Sequence, residues 1–207
     1  MVTTDAPTAD ESGSKEGTAR SFIAASEILS NPDLAKVYTD ILLNQPTTNS
    51  GIERRLDLAG STTSMRVGKL KRLGIVADAS TGKESQLTTD PLVLALGEAD
   101  SQLLFTPVAI AAYGASDEVR EIELFLDRHG TAKLLMAVEQ TKAYLNGELT
   151  RRGVADRLGI EEIEGISITQ ALEPLLGLFV TAGIIDNEFE HDVHERTLRD
   201  TPYVFEG

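Results

Sequence analysis

Apolar residues return every three or four positions through most of this chain, and Gly, Pro and Asn break the pattern, which predicts a mainly helical protein. Asn31-Pro32-Asp33 opens the first strong pattern, with Pro tolerated in a first helical turn. There Leu34, Val37, Ile41 and Leu42 form one apolar face. Gln45-Pro46 ends it, because the residue before a proline is driven from helical to extended backbone. Thr48 to Leu56 predicts a second helix that buries Ile52 and Leu56, and Leu58-Ala59-Gly60 a tight turn. Ser61 is the expected cap of a third helix that turns Thr63, Val67, Leu70 and Leu73 inward. Gly74 stops it by taking up left-handed backbone. Ile75-Val76-Ala77 and Ser85 to Thr88 flank Ser80-Thr81-Gly82-Lys83, the pattern of a β-hairpin. Upstream, SFIAASEIL reads as a short helix, and residues 1–18, with almost nothing to bury, as a disordered tail.

The second half runs in a similar order. Leu92 to Leu96 and Leu103 to Phe105 are short apolar runs without clear periodicity, and Thr106-Pro107 opens a brief helix through Tyr113. Ser116-Asp117-Glu118 is the expected start of a helix ending at His129-Gly130, its acids favourable to the helix dipole. Thr131 begins another, with Leu134, Leu135, Val138, Thr141, Tyr144 and Leu145 on one face. A short helix and turn follow over Thr150 to Gly159, then a strongly amphipathic helix from Ser167 to Ala182, closed by Gly183. Ile184-Ile185 and Tyr203-Val204-Phe205 flank a charged stretch predicted to be another hairpin. LKRLGIVAD and LFVTAGIIDN occupy corresponding places in the two halves. The expected fold is therefore mainly α with small β-hairpins: an N-terminal winged helix-turn-helix plus a C-terminal helical, winged-helix-like module. Its expected organisation is a tail at 1–18, a winged-helix DNA-binding domain at 19–97, a helical linker at 98–130 and the second module at 131–207.

A formal charge of −14 argues at first against nucleic acid. The distribution changes that picture: residues 1–29 carry −3, residues 30–97 carry +1, and residues 98–207 carry −12. Ser61 to Leu73 holds four basic residues, Arg66, Lys69, Lys71 and Arg72, and no acid. Seven lysines against 33 acids is the balance of a protein adapted to concentrated salt. The absence of cysteine excludes disulfides, thiolate metal sites and cysteine nucleophiles, and fits a reducing interior. The first residues lack the basic and apolar regions of a signal peptide, and no uninterrupted apolar run approaches the ~20 residues of a membrane span. A cytoplasmic protein with no membrane partner is expected.

Burying one face of the third helix leaves Thr62, Ser64, Met65, Gly68, Lys69 and Arg72 outward, with Arg66 at the margin. Small hydroxyls, cations and an apolar tip are what a reader of base edges and thymine methyls needs. Lys83 at the hairpin tip, with Arg54 and Arg55 on the preceding helix, are candidate phosphate contacts. The Ile168, Leu172, Leu175 and Phe179 stripe carries no cation, so it serves a core or, as expected here, a dimer seam. His191 and His194 lie among acids and have ligand chemistry, but a solvated acidic surface accounts for them, and no metal is expected. Arg151-Arg152 and Arg128-His129 are expected to pair with nearby acids. No phosphate-binding loop, GxSxG, HExxH or Cys/His pair appears, so neither an enzyme nor a cofactor is expected.

LSNPDLAKVYTDILL and SGIERRLDLAGSTTSMRVGKLKRLGIV resemble the winged-helix regulators of archaea, the broad ArsR-like and MarR-like class. More narrowly, with TPVAIAAYG, FLDRHGTAKLLMAVEQTKAYLNGELTRRGVADRLG and ITQALEPLL, the chain from Leu29 to Leu176 resembles haloarchaeal helix-turn-helix regulators with a C-terminal second module. The resemblance implies that the helix at Ser61–Leu73 enters the major groove while the hairpin at Ile75–Thr88 lies along the backbone. Gly68 departs from the polar side chain usual at its position, and the cysteine motifs of metal-sensing relatives are missing. Sequence-specific transcriptional regulation on double-stranded DNA by a homodimer is the expected function. The alternative is a tandem winged-helix adaptor that binds protein without reading DNA.

Overall fold

The computed structural model describes residues 11–79, 85–97, 102–185 and 201–206, with side chains described from residue 19 onward. The described chain is mainly helical, with two small antiparallel hairpins. Helix α1 spans Glu11–Ile28, so helical backbone begins inside the stretch expected as a tail. Ala24, Ala25 and Ile28 anchor it on the core. Helix α2, Pro32–Leu43, starts where expected: the Asn31 side chain accepts the Leu34 amide at 3.1 Å, satisfying one of the unpaired N–H groups of a first turn. Helix α3, Asn49–Leu56, is capped by Thr48. Helix α4, Gly60–Arg72, starts one residue before the cap expected at Ser61; Ala59 holds that position and its side chain makes no capping bond. Thr63, Val67 and Leu70 of α4 are buried, as its periodicity requires.

Gly74, at φ +73°, closes α4 by donating to Lys71 while Ile75 donates to Leu70, the paired bonds of a left-handed helix end. Strands β1, Val76–Asp78, and β2, Leu87–Thr89, follow as the expected hairpin, with Val76 opposite Thr89. Thr47 pairs with Leu87 through two backbone bonds of 3.1 and 2.7 Å, adding the α2–α3 connection to that sheet. A second hairpin, β3 Leu94–Leu96 with β4 Leu103–Phe105, occupies the two apolar runs that lacked periodicity. Runs of three apolar residues carry too little pattern to separate strand from helix.

Helix α5, Pro107–Gly114, starts at the expected Thr106-Pro107, and seven of its eight residues are buried. It packs against α2, against α6, Arg120–Leu145, and against α8, Glu162–Thr181. One hydrophobic cluster consequently runs from Ala25 to Tyr203. The start expected at Ser116 falls in a short 3-10 turn, Ala115–Asp117, and α6 begins at Arg120; Asp117 and Glu118 meet the buried Lys36 amine. Gly130, at φ 75° and ψ 172°, kinks α6 at the expected break. Helix α7, Arg151–Leu158, is capped by Thr150, which accepts the Gly153 amide just as Thr48 accepts that of Gly51. Both halves thus share a Thr-capped short helix followed by a longer helix closed by a left-handed glycine, Gly74 or Gly183.

Helix α8 also decides one open alternative. Ile168, Leu172, Leu175 and Phe179 are each at most 1% exposed, so the stripe expected to form a dimer seam is filled from within the chain. Among the described residues α8 is the one helix long and apolar enough to cross a membrane. Its stripe of Ile168, Leu172, Leu175 and Phe179 is buried in the core, however, and its first turn carries Glu162 and Glu164. Of the expected C-terminal hairpin, Ile184-Ile185 and Tyr203–Phe205 form no strand, and residues 186–200 lie outside the described ones.

Close packing makes two glycines respond oppositely to alanine. A Cβ at Gly165 would lie 2.9 Å from the Ala155 Cα of α7, whereas one at Gly68 meets only the Arg72 guanidinium, at 3.6 Å. Gly165→Ala is expected to destabilise by about 1–3 kcal/mol through overpacking. Gly68→Ala should stabilise by up to about 1 kcal/mol. Urea unfolding of the two variants checks both signs.

Candidate nucleic-acid interface

The outward side of α4 is built by the burial of the other. With Thr63, Val67 and Leu70 inside, Ser61, Ser64, Met65 and Arg72 are exposed, and Thr62, Arg66, Gly68 and Lys69 half-buried. The Met65 side of the helix is apolar and open, Met65 being 56% exposed. Ser64 accepts a 3.5 Å contact from the Asn49 amide of α3, so the adjoining ends of the two helices contribute to one surface.

Carboxylates from neighbouring elements meet most of the α4 cations. Arg66 reaches Asp33 at 2.9 Å, Lys69 reaches Glu27 at 2.5 Å, and Lys71 reaches Asp78 at 2.7 Å. Lys71 and Ser85 together hold the Asp78 carboxyl below its usual range. Arg72 alone among the four has no ion pair to a described residue. Exposed pairs of this kind are weak, worth about 0–1 kcal/mol, so a phosphate can replace the carboxylate at little cost. Lys83 lies outside the described residues.

Arg54 and Arg55 separate in role. Arg55, expected as a phosphate contact, is instead a core residue with 5% of its side chain exposed. Its Nε and Nη2 donate to the two Asp40 oxygens at 2.8 Å each, Nη2 also to Thr47 Oγ1 at 2.6 Å, and Nη1 to Glu206 at 2.9 Å. A fork of donors facing a carboxylate satisfies a buried guanidinium, and helical spacing from Leu56 could not have revealed it. Burial pushes the Asp40 carboxyl up against the pull of Arg55, while Asp40 raises Arg55 further into its charged form. Arg54 is 67% exposed on its side chain and holds Glu206 at 2.9 Å.

Glu206 belongs to an anchor that the sequence did not signal. Tyr203 is 4% exposed, and its hydroxyl donates to the Ala111 carbonyl of α5 at 2.9 Å. The Asn44 side chain donates to the Val204 carbonyl at 2.8 Å and accepts the Glu206 amide at 2.9 Å. Residues at the far end of the chain thereby lock onto the end of α2. Arg55 and Arg54 hold the Glu206 carboxyl below its usual range.

In the second half, Arg151 pairs with Glu173 at 2.8 Å and Arg152 with Glu162 at 2.7 Å, as their acid-rich setting implied. Arg128 and His129 share Glu164, and both lower its pKa, Arg128 more strongly. They edge an open cavity of about 200 Å³ between α6 and α8 with Phe125, Ile163 and Ile168 on its apolar walls. Neither periodicity nor motif pointed to it. His191 and His194 lie outside the described residues.

Residues 116–180, which span α6, α7, α8 as far as Val180 and this cavity, match a family of unknown function (DUF7437). No curated protein and no solved structure matches the chain.

The division between Arg55 and Arg54 is measurable. Arg55→Ala strands a buried carboxylate and is expected to cost about 3–5 kcal/mol. Arg54→Ala should stay within ~0.5 kcal/mol. Denaturant melts of the two variants test this; equal, small effects would return Arg55 to the surface. Glu206 gives the pH counterpart. Its folded pKa lies below its unfolded one, so its contribution is full above the usual carboxylate range and disappears as pH falls through the folded value. The stability gap between wild type and Glu206→Gln should therefore be largest near neutrality and close in acid.

Proposed function

We propose that the protein is a cytoplasmic, sequence-specific DNA-binding transcriptional regulator. In this reading residues 31–89 form a winged helix, α4 enters the major groove, and the β1–β2 hairpin lies along the phosphate backbone. The observation that carries it is the outward face of α4: it is free of acids along its whole length, and Ser64, Met65 and Arg72 stand exposed on it. Hydroxyl, thioether and guanidinium groups suit base edges, thymine methyls and guanine respectively. The order α2, Thr47 bridge, α3, α4 and hairpin supports the winged-helix assignment. The second half, with its similar order of helices and its glycine-closed α8, is read as a winged-helix-like module that takes up a signal. The cavity at Phe125, His129 and Ile163 is its place of entry.

One observation favours a different reading, an adaptor that binds protein. Arg66, Lys69 and Lys71 all have acidic partners, and the side of α4 around Met65 is apolar. The two readings differ in what charge reversal does. For a DNA reader, Lys69→Glu with Arg72→Glu abolishes specific binding while the helical signal in circular dichroism is unchanged. Removing a hydrogen bond to a base edge should cost about 1–3 kcal/mol in each case. The measurement is a mobility-shift titration on fragments recovered by chromatin immunoprecipitation. If the double variant binds those fragments as tightly as wild type, α4 is not the reading helix.

A further inference from the structure

Helix α1 has two apolar faces, and the chain covers one. Ala24, Ala25 and Ile28 pack on the core, whereas Ala19, Phe22, Ile23 and Ser26 are not buried with them, Phe22 and Ile23 being wide open. Those four positions follow i, i+3, i+4, i+7, one continuous stripe along a helix. Phe22 is 52% and Ile23 55% exposed. Among the described residues they are the exposed large apolar side chains adjacent in sequence; Ile163 borders the α6–α8 cavity, and Met65, Val93, Met136 and Val204 lie on other elements. Phe22 and Ile23 are therefore a patch rather than the ordinary scatter of a protein surface.

Charge chooses the occupant. Arg20 and Glu27 are seven residues apart, so they stand on the same edge of the stripe, one on either side of Phe22 and Ile23. An antiparallel copy of α1, turned about a two-fold axis level with Ile23 and Ala24, brings each Arg20 beside Glu27 of the partner subunit, twice. A parallel copy would carry the Arg20–Glu27 edges of the two helices to opposite sides of the seam, where neither charge finds its complement. The surface is thus complementary to itself in one orientation, the requirement for an isologous contact. An anionic membrane is disfavoured by the chain's net charge of −14.

We infer that α1 is a homodimerisation helix, pairing antiparallel with α1 of a second copy through Phe22 and Ile23 and fastened by reciprocal Arg20–Glu27 ion pairs. The inference does not depend on DNA binding, although the two meet physically: Glu27 also holds Lys69 of α4 at 2.5 Å, so the seam adjoins the proposed reading helix. The α8 stripe, being buried, is not open to a second copy.

Sedimentation equilibrium of the full chain without DNA, with salt enough to screen its net charge, tests the inference. Wild type should approach twice the 22.3 kDa chain mass. Phe22→Asp with Ile23→Asp, both at exposed positions, should sediment as a single chain with unchanged circular dichroism. Arg20→Glu sets two repulsive pairs across the seam and should weaken the dimer about tenfold or more. Arg20→Glu combined with Glu27→Arg restores opposite charges and should recover it. A wild type of 22.3 kDa at every concentration overturns the inference, as does a Phe22→Asp/Ile23→Asp variant that remains dimeric. Failure of the double charge exchange to recover association overturns the antiparallel register. Loss of DNA binding alone, with the dimer intact, counts against the proposed function and leaves the seam standing.

Discussion

The buried guanidinium of Arg55 is the interaction on which the N-terminal half depends. It joins Asp40 of α2, Thr47 of the strand-like bridge and Glu206 at the other end of the chain. A charge this deep is tolerated only when its donors are used, and here Asp40 takes two of them in a fork. Because Arg55 sits in the last turn of α3, the pairing fixes how α3 leaves α2. The position of α4 follows, since α3 and α4 are joined by only three residues and pack on each other. The orientation of an outward-facing helix is thus set by an ion pair whose Arg55 and Asp40 side chains are 5% and 1% exposed.

Charge elsewhere follows the same logic. An acid-rich chain can place a carboxylate beside almost any cation, and Lys36, Arg54, Arg66, Lys69, Lys71, Arg120, Arg128, Arg151 and Arg152 all have one. Most of these pairs are exposed and individually weak, and they shield positive charge more than they hold the fold. Lys36 differs, its side chain 9% exposed between Asp117 and Glu118, so it ties α2 to the turn before α6. Arg20, Arg72, Lys133, Lys142 and Arg157 have no such pair among the described residues, and the first two lie on the exposed faces of α1 and α4.

The two halves do not behave as beads on a linker. Helix α5 fills the space between α2, α6 and α8 with Val108, Ile110 and small alanines, and Gly114 admits the Tyr203 hydroxyl where a Cβ would lie 2.5 Å from it. A disturbance at the α6–α8 cavity has a packed route to α2 through α5, and a second route through Tyr203 and Asn44. Close-packed interiors transmit displacement because they have little free volume to absorb it.

Much of this was legible in the sequence where the signal is local. The starts of α2, α3 and α7 follow from Asn31, Thr48 and Thr150, whose side chains reach amides three residues on, and the helix ends from glycines that alone take left-handed backbone without strain. Three-residue strands such as β3 and β4 have too short a period to register, and although Thr106-Pro107 marks the start of α5, an alanine-rich helix without a polar face does not show what it packs against. The apolar stripe of α8 was visible, yet sequence periodicity gives only the direction of an apolar face and not what covers it. The same limit holds for charge. Arg54 and Arg55 are neighbours of identical type, and the chain alone offers no way to tell them apart. Tertiary structure decided that one faces solvent and the other Asp40, because their partners lie 15 and about 150 residues away, beyond the reach of any local pattern.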